Sequence, residues 1–162
     1  MRVYLSGGIE YCPDEGRKWR ADLAPSLREL GHEPYDPAED EKKSLDEDEV
    51  GQFRQWKTTD LPRFQRAVRK IIHFDLDRIE QHTDYIICFW DEGATKGAGT
   101  HGELTIAMRR GIPVYLVLGL PRARVSGWIL GCATEVFDNF DSLKEFLRDK
   151  YAPQLTGQDR TR

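Results

Sequence analysis

Tyr85-Ile86-Ile87-Cys88-Phe89-Trp90 is an unbroken apolar run, and Gly97-Ala98-Gly99-Thr100-His101-Gly102-Glu103-Leu104 follows it closely. A short run of β-branched and aromatic residues reads as a strand buried on both faces. The glycines after it read as a loop. Leu104-Thr105-Ile106-Ala107-Met108 then has helical character as far as Gly111, a stop signal. Strand, loop and helix in this order put Glu103 near a helix start at the carboxyl end of a strand, where open α/β sheets place ligands. A carboxylate beside bare backbone there is a candidate nucleophile. Read alone, Glu103 is equally a simple helix-start glutamate, favoured by the helix dipole.

The same alternation runs outward in both directions. Residues 3–5 form a short strand ending in Ser6-Gly7-Gly8. Trp19, Leu23, Leu27 and Leu30 recur at three- and four-residue steps and predict a helix over 15–30, closed by Gly31. Pro25 inside it is expected to kink or weaken it. A second short strand at 33–35 closes on Asp36-Pro37. Residues 38–52 are acidic and weakly apolar and read as a loop with a short helix. Phe64, Val68, Ile71, Ile72, Leu76 and Ile79 mark one side of a long helix over 62–81. The quoted strand takes 84–90 and its helix 101–110. Further strands follow at 113–118 and 135–137, then a helix at 141–149 capped by Asp141 or Ser142. The expected fold class is α/β: a doubly wound, mainly parallel five-stranded sheet in a three-layer αβα sandwich of flavodoxin-like type. One domain takes residues 1–150, and residues 151–162 are a polar, mobile tail.

Composition narrows the function classes. The formal net charge of −4 speaks against a polymeric nucleic-acid partner, though not against a small nucleotide. No apolar run is long enough to span a bilayer, and Met1-Arg2 leads straight into a strand without an apolar signal region. Cys12, Cys88 and Cys132 are scattered and form no CxxC pair, which points to a reducing cytoplasm rather than a disulfide scaffold or zinc ribbon.

Two motif matches fail on context. Gly97 to Gly102 fits G-x-G-x-x-G, but Asp91 to Lys96 separate it from its strand. The acid expected about 20 positions on is also missing, because that region reads Leu118-Gly119-Leu120-Pro121. His101-Gly102-Glu103 fits the H-x-E of zinc deaminases, but no P-C-x-x-C follows. Neither a dinucleotide, a flavin nor a metal is called for, and no cofactor is expected.

Three separated pieces fit a different pattern. They are Val3-Tyr4-Leu5-Ser6-Gly7-Gly8; then Asp75-Leu76-Asp77-Arg78-Ile79 with Asp84-Tyr85-Ile86-Ile87; then Gly97 to Leu104, with Ala107 and Gly111-Ile112-Pro113-Val114 behind. In order and spacing this set resembles the nucleoside 2-deoxyribosyltransferase family, which includes hydrolases of the N-glycosidic bond of (deoxy)nucleoside 5′-monophosphates. The resemblance covers residues 3–118 and continues more loosely through 128–146. It implies a cofactor-free enzyme acting on a small nucleoside or nucleotide, assembled as a homo-oligomer. It implies that Glu103 attacks the anomeric carbon and forms a glycosyl-enzyme intermediate, through a transition state of oxocarbenium character. It makes Asp75 the second carboxylate, a general acid and then base at the departing and entering groups. It makes Tyr4 the hydroxyl that hydrogen-bonds the nucleophile. Gly7, Gly8, Gly99, Thr100 and Gly102 are then substrate-binding positions, where missing side chains let the sugar approach backbone. One departure stands out. The family's monophosphate hydrolases carry an arginine soon after the glycine pair, whereas here Gly7-Gly8-Ile9-Glu10 brings an acid. That leans toward unphosphorylated nucleosides and hence transfer, with Arg17, Lys96, Thr100 and His101 as the residues able to compensate.

Each of these residues also has a plainer role open to it. Asp75 can be a solvated helix acid beside Asp77, Tyr4 a core tyrosine, and Gly7-Gly8 a turn. Asp84 reads as structural. Asp36 and Asp91, at strand ends, either meet a ligand or are solvated. Trp19, Phe53 and Trp56 suit core packing or a dimer contact better than stacking on a base. Arg63, Arg66 and Lys70 read as a solvated stripe. The competing function is a non-catalytic nucleotide-binding or sensing domain on the same fold, with residues 38–50 and 53–56 as a partner surface. A phosphate- or flavin-binding protein fits less well, since Glu103 would repel phosphate at that helix start.

Overall fold

The structure, a computed structural model, describes residues 1–40 and 44–151. Its sheet contains β1 (Arg2–Gly7), β2 (Glu33–Tyr35), β3 (Tyr85–Trp90), β4 (Val114–Leu118) and β5 (Glu135–Phe137), in the order β2-β1-β3-β4-β5. All four pairings are parallel. The order reverses between β1 and β3. From there β1 leads to α1 (Arg17–Glu29) on one face, while β3 leads to α5 (Glu92–Lys96) and α6 (Ala98–Arg110) on the other. Two strand exits that part to opposite faces leave a crevice at the carboxyl edge of the sheet.

Alternate strand residues sort the core into two layers. Val3, Leu5, Tyr85, Ile87, Tyr115 and Val117 face Leu23 and Leu27 of α1 and Leu143, Leu147 and Tyr151 of α8 (Phe140–Tyr151). Tyr4, Ile86, Cys88, Val114 and Leu116 face the other way. They meet Ile79 of α4 (Leu61–His82), Leu104 and Ala107 of α6, and Ile129 of α7 (Gly127–Cys132). The doubly wound three-layer architecture expected from the sequence is the one observed. A smaller cluster outside the sheet joins α2 (Glu47–Val50), α3 (Phe53–Thr59) and the first half of α4, through Leu45, Trp56 and Ala67.

Several local expectations are corrected. The first helix starts at Arg17, because Glu15 (φ 55°) and Gly16 (φ 70°) are left-handed and stop it from extending backward. Pro25 does not interrupt that helix. It lies on the exposed side, as does Ala21 one turn back, so the carbonyl it leaves unbonded is on the solvent side. The glycine segment from Ala98 onward is helix rather than loop, which places Glu103 in the second turn of α6 and not at its start. The spacer before it is itself a short helix, capped by Asp91 accepting from the Ala94 N–H at 2.8 Å. The last helix begins at Phe140, with Asn139 as the residue accepting from the Ser142 N–H at 2.9 Å. Tyr151 belongs to that helix and is buried, so it is not part of a tail. The tail beyond it, and residues 41–43 of the acidic segment, lie outside the described residues. Within the described residues no helix is long and apolar enough to cross a membrane.

His32 is buried under this layer, with Nδ1 2.7 Å from the Tyr85 hydroxyl and its ring edge-on to Tyr151. Burial, and then the charge of the N-terminus, holds its pKa below the ordinary value. The unfolded chain therefore takes up this proton first as pH falls. The stability is complete above about pH 6.5 and is lost as pH drops toward the folded-state pKa. Urea unfolding between pH 7.5 and 5 should show a steeper loss of stability in the wild type than in His32→Phe. Parallel slopes in the two proteins would contradict this.

Candidate functional site

The site begins with a mismatch of strand lengths. β2 pairs with β1 only from Arg2 to Tyr4, so Leu5 to Gly7 have no strand on that flank. Arg20 takes the strand's place. Its buried guanidinium donates to the carbonyls of Leu5 (3.0 Å), Gly7 (3.2 Å) and Glu15 (3.0 Å) and lies 3.4 Å from Asp36 Oδ1. Asp36 is thus the partner of a buried cation. Burial pushes the Asp36 carboxyl up, against the Ala38 N–H and Arg20, which pull it down.

On the other face of β1, Tyr4 and Ser6 project together toward α6. The Tyr4 hydroxyl donates to Glu103 Oε1 at 3.0 Å, and the Ser6 hydroxyl donates to Glu103 Oε2 at 2.5 Å. Tyr4 is fully buried. Its pKa is raised well above the ordinary value by burial first, then by the charges of Glu103 and Asp75, so the phenol stays a donor. Asp75, half-buried on α4, also acts on Tyr35, the register partner of Tyr4. The two tyrosine rings are 5.5 Å apart, and the Arg78 guanidinium lies 4.2 Å over the Tyr35 ring. The sequence-predicted Glu103, Asp75 and Tyr4 therefore come together, with both carboxylates acting on one phenol.

The glycines divide into two kinds. A Cβ at Gly7 would stand 3.1 Å from the Trp19 ring, and one at Gly8 would stand 2.7 Å from Cys12 Sγ and 2.8 Å from Ala94 N, so the chain's own packing requires both. A Cβ at Gly99 or Gly102 would meet nothing within 4 Å. Both are exposed, on the same helix as Glu103. Thr100, between them, is buried. His101 Nδ1 donates to the Gly97 carbonyl at 2.9 Å, and its ring stands edge-on to Trp90. Cys12 is no thiolate nucleophile, because burial, followed by the charge of Asp91, pushes its pKa up to about 11.

Other residues take structural places. Asp84 accepts from the Arg2 N–H at 2.6 Å. Trp19 packs between Phe89 and Phe140, Phe53 stacks on Phe64, and Trp56 is buried under the Arg63 guanidinium at 3.8 Å. The basic stripe is therefore only partly solvated, since Lys70 also binds Asp46 (3.0 Å) and Glu49 (2.8 Å). Glu10 pairs with Lys57 at 2.8 Å, and Glu15 with Arg54 and Arg17, each at 2.8 Å. Among the described residues no group of three or more His, Cys, Asp or Glu could hold a metal ion.

Sequence reasoning missed Ser6 and Arg20. Both left a signal. Ser6 is two residues from Tyr4, hence on the same strand face. Arg20 precedes Leu23 and Leu27 by three and seven residues, which sets a charge on the buried stripe of a helix. Chemically, Glu103 is a carboxyl group that accepts from Tyr4 on one oxygen and from Ser6 on the other, beside open backbone and near a second carboxylate.

No protein-family model and no curated protein matches this chain. Among solved structures it is similar to a 2-deoxyribosyltransferase from the psychrotolerant bacterium Bacillus psychrosaccharolyticus, with TM-score 0.58 and 22% identity over 89% of this chain and 90% of that one. It is also similar to the CMP N-glycosidase BcmB of Clostridium botulinum, with TM-score 0.53 and 19% identity over 91% of this chain and 97% of that one. At these identities the likeness is one of fold.

Removing the buried guanidinium should strand Asp36 and three carbonyls at once. Arg20→Met is expected to lower unfolding stability in urea by about 3 kcal/mol or more, while Arg17→Met on the exposed side changes it by less than about 0.5 kcal/mol. Equal effects at the two positions would refute the strand-replacing role of Arg20.

Proposed function

We propose that this chain belongs to the nucleoside 2-deoxyribosyltransferase family and cleaves the N-glycosidic bond of a (2-deoxy)nucleoside or nucleotide through a glycosyl-Glu103 intermediate. The observation that carries it is the pairing of Glu103, hydrogen-bonded on both oxygens to β1, with Asp75 acting on the same Tyr4. The full-length likeness in fold to a deoxyribosyltransferase and an N-glycosidase supports it.

In the first step a Glu103 oxygen forms a bond to C1′ as the C1′–N bond breaks. The electron pair leaves with the base, and Asp75 supplies a proton to it. In the second step a base or water attacks C1′ and gives its proton to Asp75. The ester C1′–O bond breaks and its electron pair returns to Glu103. Two displacements on one carbon retain the anomeric configuration. No electron donor or acceptor enters either step, so the residues alone suffice. Tyr4 remains protonated throughout as a donor to the carboxylate. Gly99 and Gly102 leave room for the sugar beside it.

Glu10 and Glu15 already occupy Lys57, Arg54 and Arg17 around the loop after β1. This supports an unphosphorylated nucleoside as substrate and transfer to a second base as the reaction. The same proposal takes the protein as a cytoplasmic homo-oligomer. Exposed Ile72, Met108 and Trp128, on α4, α6 and α7, supply apolar surface for assembly, and the unpaired cysteines suit a reducing compartment.

Incubation with 2′-deoxynucleosides, with and without a second free base, should release base and, with the acceptor present, form the exchanged nucleoside. Glu103→Ala should lower turnover by about a thousandfold or more, and Asp75→Asn by about a hundredfold or more. Full turnover in Glu103→Ala would end this mechanism.

A further inference from the structure

Tyr4 accounts for one oxygen of Glu103, and the other is held by a residue with no role in the chemistry above. Ser6 is fully buried, and its hydroxyl donates to Glu103 Oε2 at 2.5 Å, at the short end for an O–H···O⁻ bond. A serine hydroxyl carries a single hydrogen and rotates to suit its surroundings. Cys88 is the register partner of Ser6 on β3, and burial, then the charge of Glu103, pushes its thiol up. The backbone under Ser6 is fixed, since Arg20 grips the carbonyls of Leu5 and Gly7 on either side of it.

We propose that Ser6 is a positioning residue for Glu103: its hydroxyl, set in place by the Arg20 clamp on β1, fixes the rotamer of the carboxylate. The catalytic consequence rests on Glu103 being the nucleophile, whereas the effect on the carboxylate itself does not. A reacting oxygen displaced by about 1 Å is enough to cost about a hundredfold in rate.

The test combines two measurements on wild type, Ser6→Ala and Ser6→Thr. One is the pH titration of the Glu103 carboxyl by 13C NMR, with the resonance assigned from Glu103→Gln. The other is kcat and KM for base release from 2′-deoxynucleosides. In Ser6→Ala, which loses one atom, the Glu103 midpoint should rise by about one pH unit. Its kcat should fall about ten- to a hundredfold, with KM within about twofold of wild type. Ser6→Thr, which keeps the hydroxyl, should return toward wild type in both. An unmoved midpoint in Ser6→Ala overturns the proposal whatever the activity. Unchanged kcat in Ser6→Ala alongside an inactive Glu103→Ala also overturns it, while leaving Glu103 as nucleophile. A midpoint that moves in a protein releasing no base upholds the Ser6 grip and removes the nucleophile assignment instead.

Discussion

β1 runs on past the end of β2, and the carbonyls of its last residues would be left without partners if nothing stood beside them. Buried backbone acceptors must be satisfied. Arg20, sent inward from α1, satisfies two of them and the turn at Glu15 as well. A guanidinium presents several donors in a rigid fork, which suits it to stand in for a missing strand edge. Its own charge is answered by Asp36, just beyond β2. The carboxyl end of β1 is therefore a fixed ledge, although it lies at the switch point where an open sheet exposes its strand ends. The placement of Tyr4, Ser6, Gly7 and Gly8 follows from that ledge.

The packing of the β1 exit shows how little freedom remains there. Gly8 passes so close to Cys12, Gly93 and Ala94 that a methyl group would collide with all three. Glu15 and Gly16 then turn the chain through left-handed backbone into α1. The space next to Gly99 and Gly102 is open by contrast. One wall of the crevice is closed by the protein's own atoms, and the other is left unfilled.

The sequence carried the sheet well, because strands such as Tyr85–Trp90 and Val114–Leu118 are short apolar runs flanked by turn residues. The helices α1 and α4 were legible from their apolar period, and α8 from the capping residues at its start. The start of α6 was not. Gly99 to Gly102 has poor helix propensity, and the burial of Thr100, Leu104 and Ala107 commits it. α3 was missed because its buried contribution is the single residue Trp56, covered by α4 rather than by the sheet. That Tyr4, Asp75 and Glu103 lie together was legible from the order of separated pieces. Ser6 and Arg20 were passed over because sharing a strand face with Tyr4 gains meaning only once Glu103 is seen opposite, and a charge on an apolar stripe looks like an exception until its carbonyl partners are known.

Glu103 rides on the second turn of α6, a helix seated on the sheet by Leu104 and Ala107, and not on a pliable loop. A carboxyl group carried on a stiff rod cannot lean toward what lies beside it. Adjustment to the shape of whatever molecule enters then falls to the surface side chains of the opposite bank, Glu10, Tyr11 and Glu15, which meet α3 through Lys57 and Arg54. On the proposed function, chemistry and selectivity are in this way lodged in different parts of the chain, so an engineer seeking a new substrate range would rewrite that bank and leave the rod untouched.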